Sequence, residues 1–330
     1  MRKSKLLVGL AALTTLAGCG ISGAGSGSAS TAAQVTVRIP DPGNAGVLAV
    51  GKKDGSLAKA LARVNATVAW TGSAGPFAPA AQAMNANQLD IAIGSITSGI
   101  TSLAQKPGFK FFTAMAPDTV GAGILTKKDS GIDRVEDLID KKVAVNRGGT
   151  GEYLLLKALA ENHIPARKVK RVYLPPDQTA AVFNTGKVDA WAVWSTYSVT
   201  ELGTGRAKFV ATGRQIDSDN YSLTAVRTAF AQQHPRVVKA LYDYLHAGSI
   251  AEKKNPAAYL NVNTNVGPQA LNDAAQRVQI DIIAKGGTVE PITAADIERF
   301  KDVARFYADQ KVTKTAVDIG AHLIDVEQLS

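Results

Sequence analysis

Two stretches hold residues whose types and spacing suit chemistry on a small anion. Asn146-Arg147-Gly148-Gly149-Thr150-Gly151 follows an apolar run, Val143 to Val145, and precedes Tyr153-Leu-Leu-Leu-Lys-Ala-Leu159. The run reads as a buried strand, the glycines as a tight loop, and Tyr153 to Ala160 as a helix with Thr150 as its N-cap. A strand ending in glycines at a helix start exposes backbone N–H groups, and the helix dipole adds positive potential, so the loop suits an anion. Arg147 is its one cation. The second stretch, Val188-Asp-Ala-Trp-Ala-Val-Trp194-Ser-Thr-Tyr197, reads as a strand ending in aromatics. Alternation puts Trp191 and Trp194 on opposite faces unless the strand ends between them. Trp194 and Tyr197 are therefore expected to wall a pocket and Trp191 to lie in the core.

Other loops that follow expected strands gather small and hydroxylated residues: Asn44, then Ser73, Gly75 and Pro76, then Ser95, Ile96 and Thr97. Loops of this kind offer N–H and hydroxyl donors. Catalytic patterns are absent from the sequence. His163, His234, His246 and His322 lie far apart, with no metal-ligand spacing. There is no Gly-x-Ser-x-Gly elbow, and Arg147-Gly-Gly-Thr-Gly lacks the lysine and spacing of a nucleotide loop. No catalytic residue, metal or cofactor is expected. Asp90 and Asp189 are read as turn or strand-edge residues rather than an acid and base.

These residues need a scaffold. Strands are expected over 34–39, 67–70, 89–93, 109–115 and 121–126, with helices between them, and the alternation restarts after Lys127 with strands over 143–145, 170–174, 188–193 and 208–211. That rhythm argues for parallel βαβ units. A strand over 221–227 follows, and from His234 the pattern is nearly all helical. A short repeat links the halves: Met84-Asn-Ala-Asn-Gln-Leu-Asp90 matches Phe183-Asn-Thr-Gly-Lys-Val-Asp189. In each, a helix ends at Asn or Gly, residues that tolerate the left-handed conformation, and an Asp enters the next strand. Two lobes of like topology would meet across a cleft at their strand ends, where ligands of such sheets bind.

The chain has 330 residues, 45% hydrophobic and 20% charged, with a formal net charge of +9. Its basic pairs are scattered among acids, without the aromatic-basic modules of a nucleic-acid binder. Met1-Arg-Lys-Ser-Lys, the apolar Leu6–Leu16 and Leu16-Ala-Gly-Cys19 are similar to a bacterial lipoprotein signal. That resemblance implies removal of 1–18, lipid on Cys19, and a flexible Gly/Ser/Ala linker over 19–33. Cys19 is the single cysteine, so no intramolecular disulfide is expected.

Taken in order, the lipobox, the βα units, Lys141-Lys-Val-Ala-Val-Asn-Arg-Gly148, Val172-Tyr-Leu-Pro-Pro176 and Val188-Asp-Ala-Trp-Ala-Val-Trp194 resemble the solute-binding proteins of ABC importers for aliphatic sulfonates, within a group that includes taurine, nitrate and thiamine-precursor binders. The resemblance implies an α/β, two-lobed type II periplasmic-binding-protein fold with the ligand cleft between lobes. One lobe would combine 34–123 with 221–330, and the other would be 124–220. It also implies a monomer that hands a sulfonate-like anion to an ABC permease and, indirectly, its ATPase. Relatives often carry Asp-Pro after the second tryptophan, where this chain has Ser195-Thr196; the missing carboxylate tilts expectation toward simple anions. The alternatives are a different ligand (a sulfate ester, aromatic sulfonate, taurine, nitrate or thiamine precursor) or an enzyme on the same fold.

Overall fold

The computed structural model describes residues 33–329. The expected signal segment 1–18, Cys19 and the linker as far as residue 32 lie outside the described residues. The strands are β1 (Val35–Asp41), β2 (Ala66–Ser73), β3 (Ile91–Ser95), β4 (Phe109–Met115), β5 (Gly123–Lys127), β6 (Lys142–Val145), β7 (Lys170–Tyr173), β8 (Ala190–Val193), β9 (Ala207–Thr212) and β10 (Ser222–Arg227). The helices are α1 (Val47–Asp54), α2 (Ser56–Ala62), α3 (Phe77–Asn85), α4 (Ile96–Leu103), α5 (Thr150–Glu161), α6 (Pro176–Asn184), α7 (Ser195–Gly203), α8 (Thr228–Gln233), α9 (Pro235–Lys254), α10 (Asp273–Lys285) and α11 (Ala294–Asp309).

One lobe carries the five-stranded sheet β7-β6-β8-β5-β9, and the other carries the pair β1-β2 and the three-stranded sheet β3-β10-β4. Parallel pairing holds where the βαβ rhythm called for it, in β1–β2, β6–β7 and β6–β8. It fails at β5, antiparallel to β8 and β9, and at β10, antiparallel to β3 and β4. The reason is the path of the chain. After β4 it leaves the first lobe at the carboxyl ends of the strands and enters the second lobe at the matching edge, so β5 must run against its neighbours. After β9 it returns, and β10 does the same. The two crossovers, 116–122 and 213–221, are hydrogen-bonded to each other through Gly213 N–H to Ala122 O (2.7 Å) and Arg214 N–H to Thr119 O (3.0 Å). Gly123, expected to end the first lobe, already pairs with Val193 and Thr212 in the five-stranded sheet.

The core of the first lobe packs Val37 and Ile39 of β1 against Leu57, Leu61, Val238 and Leu241 from α2 and α9. A second cluster runs from Phe77, Phe109 and Phe111 through Ile96 and Ile100 to Tyr153, Phe300 and Tyr307. It crosses between lobes because α11 packs its Phe306 and Tyr307 edge-on to Tyr153 of α5, with ring centroids 5.7 and 6.1 Å apart. On the other flank α10 lies along α7. Gly203 has no room for a β-carbon because Ala275 stands there.

Candidate functional site

The glycine loop stands at the carboxyl end of β6, as expected, and three of its N–H groups are engaged within the chain. Gly148 N–H donates to Glu152 Oε2 (2.7 Å), Gly151 N–H to Asn146 Oδ1 (2.7 Å), and Gly149 N–H to Asn146 O (3.3 Å). The N-cap is Gly149, not Thr150, which is the first helical residue. Close packing accounts for the glycines. Gly148 is left-handed (φ 63°), and a β-carbon on Gly151 would lie 2.4 Å from Ala192 O. The N–H groups of Gly148, Gly149 and Gly151 are thus spent within the loop and the first turn of α5, with Asn146 accepting two of them.

The loop does retain a cation. Glu152, buried in the first turn of α5, also accepts from Arg171 (2.8 Å) and from the Tyr173 hydroxyl (2.6 Å). Burial and the Glu152 carboxylate raise the pKa of Tyr173, keeping it a neutral donor. The Tyr173 ring becomes a platform for the exposed Arg147, whose guanidinium carbon stands 3.6 Å from the ring centroid. A guanidinium stacked on an aromatic face keeps its N–H edges free for a planar or tetrahedral anion.

Ser95, Thr97 and Thr150, expected on opposite sides of a cleft, meet. Thr150 Oγ1 donates to Ser95 Oγ (3.1 Å), and Thr97 Oγ1 donates to Asn220 Oδ1 (2.7 Å). Asn220 Nδ2 closes the circuit by donating to Thr150 Oγ1 (3.1 Å). Alongside, Thr101 Oγ1 donates to Gly148 O (2.9 Å) and the Tyr307 hydroxyl to Gly149 O (3.0 Å). Ser95 caps α4 and bonds Ser98, while Ile96 and Thr97 are fully buried. This cluster joins the lobes next to the second crossover. Ser95 and Thr150 remain partly or fully covered, and Ile96 serves the core.

The two tryptophans divide between the core and partial exposure. β8 ends at Val193, between the two tryptophans. Trp191 is buried at 2% exposure and Trp194 is half-buried at the N-cap of α7. Tyr197 touches both, with centroids 6.1 Å from Trp191 and 5.0 Å from Trp194. Burial, then the nearby Asp177, raises the Tyr197 pKa.

The other expected residues divide. Ser73 ends β2 instead of lying in a loop, and with Gly75 and Pro76 it is exposed at the first-lobe strand ends, Pro76 preceding α3. Asn44 is committed to the fold. Its Nδ2 donates to Thr264 O and Gln269 O, and its Oδ1 accepts from the N–H groups of Asn263 and Thr264. That staple reaches across more than 200 residues of sequence, so no local pattern announced it. Sequence reasoning also missed Asn220, Tyr307, Glu152 and Tyr173. Glu152, three residues after the N-cap, was the one with a readable position.

An open cavity of about 520 Å³ lies against Asn261, Asn272 and Arg277 where α10 begins, and of the expected residues Asn44 adjoins it through Asn261. Among the described residues, no group of three or more His, Cys, Asp or Glu side chains is gathered as if for a metal. No described helix is long and apolar enough to cross a membrane.

The NMT1/THI5-like family model matches residues 75–258. A candidate aliphatic sulfonates-binding protein of Bacillus subtilis is 27% identical over 319 residues, covering 96% of this chain and 93% of its own. The alkanesulfonate-binding protein SsuA from Xanthomonas axonopodis pv. citri, solved bound to MOPS, superposes with a TM-score of 0.79 at 20% identity, covering 89% of this chain and 99% of that one. The desulfurization enzyme DSZB superposes at 0.57 and 14% identity over 88% of this chain and 96% of its own. The architecture is thus the two-lobed α/β fold of periplasmic binding proteins, a fold that an enzyme also uses.

Proposed function

The chain belongs to the NMT1/THI5-like family, and on that footing we propose that it is an extracytoplasmic solute-binding protein of an ABC importer that captures an alkanesulfonate-like anion. The observation that carries this reading is Arg147 stacked on Tyr173 at the carboxyl end of β6, one strand from the half-buried Trp194 and Tyr197. A cation with open N–H edges beside aromatic faces matches a sulfonate head and an apolar tail. The relation to the Bacillus subtilis protein along nearly its whole length supports the same reading. In it, Ser95, Thr97 and Thr150 hold the lobes together around the second crossover, and Ser73, Gly75 and Pro76 line the first-lobe rim. Lobe one combines 34–123 with 221–330 and lobe two is 124–220, except that Gly123, pairing in the five-stranded sheet, goes with lobe two. Lipid on Cys19 would tether a monomer to the membrane near its permease and ATPase. Catalysis is not part of the reading, since Asp90 and Asp189, the acids the repeat singles out, are engaged in joining strands.

Calorimetric titration of the purified chain with alkanesulfonates, taurine, sulfate and nitrate tests this. Saturable heat with a sulfonate is expected, and silence from all four classes overturns it. Arg147→Ala is expected to weaken sulfonate binding at least about tenfold, the scale of a lost charge-assisted contact.

A further inference from the structure

The five-stranded sheet carries the candidate site at one end and a basic row at the other. Arg147, Pro175 and Trp194 follow the carboxyl ends of β6, β7 and β8, so the amino ends of these strands lie at the opposite pole. There the basic pairs that the sequence keeps apart are knit together by backbone bonds. Lys142 of β6 is in register with Lys170 of β7. The ladder continues beside them, with Lys170 N–H donating to Lys141 O (2.9 Å) and Asp140 N–H to Lys168 O (2.8 Å). Asp189, just before β8, bonds Lys142 in turn, and Thr126 Oγ1 of β5 donates to Asp189 O (3.1 Å). Because β5 runs against its neighbours it ends at this pole, where Lys128 N–H donates to Arg206 O (2.8 Å) at the start of β9. The row from Lys170 to Arg206 thus crosses the whole sheet, roughly 20 Å.

Lys128, Lys141, Lys142, Lys168, Lys170 and Arg206 are all exposed. Among the described residues, the cations of this lobe that form ion pairs are Arg134, Lys157, Arg171 and Lys208, and none of these six. Of the nearby acids, Asp189 spends Oδ2 on the Lys142 N–H and Asp133 is taken by Lys208, which leaves Asp129 and Asp140. Like charges in register on neighbouring strands repel, so Lys142 beside Lys170 is kept at a cost to the fold. We infer that this row is an interaction surface for the anionic headgroups of a membrane. The inference goes beyond the ligand reading and shares only the tether with it. An extended row of unpaired cations matches negative charge spread over a plane, whereas a single small anion needs donors that converge on it. A single-stranded nucleic acid calls for aromatic side chains interleaved with the cations, and none of the six has Phe, Tyr or Trp beside it in sequence. Lipid on Cys19, expected from the sequence, would hold the domain beside such a surface, and a lipid anchor is strengthened by a polybasic contact. Contact through this pole leaves the carboxyl ends of the strands clear of the headgroups.

Lysine acetylation read by mass spectrometry tests this on the full chain bound to vesicles, either all phosphatidylcholine or about one-third phosphatidylglycerol. On the anionic vesicles Lys141, Lys142, Lys168 and Lys170 are expected to react at least about threefold more slowly than on the neutral ones, while Lys59 and Lys254 do not change. Salt at about 0.5 M is expected to remove the difference. Two variants of equal charge separate this row from net charge. Lys141→Gln combined with Lys142→Gln, Lys168→Gln and Lys170→Gln is expected to lose the protection of Lys128. Lys59→Gln combined with Lys106→Gln, Lys254→Gln and Lys314→Gln is expected to keep it, as is replacement of the row's lysines by arginine. Equal labelling on the two kinds of vesicle overturns the inference, and so does an equal loss in the two glutamine variants. Protection of the row by soluble polyphosphate but not by anionic vesicles also overturns it, giving the face to another polyanion. None of these outcomes bears on sulfonate titration, so the ligand reading stands or falls separately.

Discussion

Asp90 and Asp189 hold the same place in the two lobes, each exchanging a reciprocal pair of hydrogen bonds with a neighbouring strand. Asp90 N–H donates to Arg38 O and its Oδ2 accepts from Arg38 N–H, both at 3.0 Å. Asp189 N–H donates to Lys142 O (2.8 Å) and its Oδ2 accepts from Lys142 N–H (2.7 Å). In the first lobe this bridge links β1 to the start of β3. The difference lies in what surrounds them. Asp90 is 1% exposed and is also gripped by the guanidinium groups of Arg38 and Arg227, whereas Asp189 is at the surface.

The pair should therefore respond unequally to the same substitution. Asp90→Asn leaves two guanidinium groups facing a neutral amide and is expected to cost about 3 kcal/mol. Asp189→Asn is expected to cost less than about 1 kcal/mol. Urea unfolding with unchanged m-values measures both. A similar cost for each would mean that the bridge, and not the buried charge, matters.

The repeat was readable because each of its parts has a local cause. A helix C-terminus wants a left-handed residue, and Asn87 (φ 57°) and Gly186 (φ 74°) supply one. Met84 and Phe183 then turn inward, and the Asp meets the next strand. The direction of β5 and β10 was not readable, because it depends on which lobe the chain enters, and a strand's pattern does not record its direction. The loop 146–151 was half readable. Its place at a strand end followed from sequence, but the same glycines serve an anion or close packing alike, and only Ala192 O and the Asn146 amide decide between them.

Glycines in the site are expected to differ sharply. Gly151→Ala pushes a methyl group toward Ala192 O and should cost about 1–3 kcal/mol, the range of overpacked interiors. Gly75→Ala meets nothing within 4 Å and should leave thermal unfolding unchanged. If both variants melt with the wild type, the packing account of the loop fails.

Thr150→Val keeps the shape of the residue and removes the hydroxyl that joins Ser95 to Asn220. It strands Asn220 Nδ2, at about 1–3 kcal/mol, while Ser95 Oγ keeps Thr97 and Ser98. Because the bonds span the lobes, the loss should appear as opening. Small-angle scattering is expected to show a larger radius of gyration for the variant, and sulfonate affinity should fall as the closed form becomes rarer. An unchanged radius would mean that the contacts along α10 and α11 hold the lobes by themselves.

Two acids should tilt stability in opposite directions with pH. Burial raises the Asp90 pKa, but hydrogen bonds from Arg38 and then Arg227 outweigh it and leave the carboxyl below its usual value. Its contribution is present above the unfolded value of about 3.9 and is lost as pH falls through the lower folded value. Glu252, on α9, is pushed up to about 7 by burial. The native state then keeps a proton that the unfolded chain releases from about pH 4.5 upward. Stability therefore falls as pH rises between that value and about 7. Glu252→Gln should remove this slope, raising stability above pH 7 by about 1–2 kcal/mol and leaving it unchanged near pH 4. Asp90→Asn should flatten the acid limb alone. Denaturation midpoints from pH 3 to pH 8 separate the two, and a Glu252→Gln curve parallel to the wild type throughout would place that carboxylate in water.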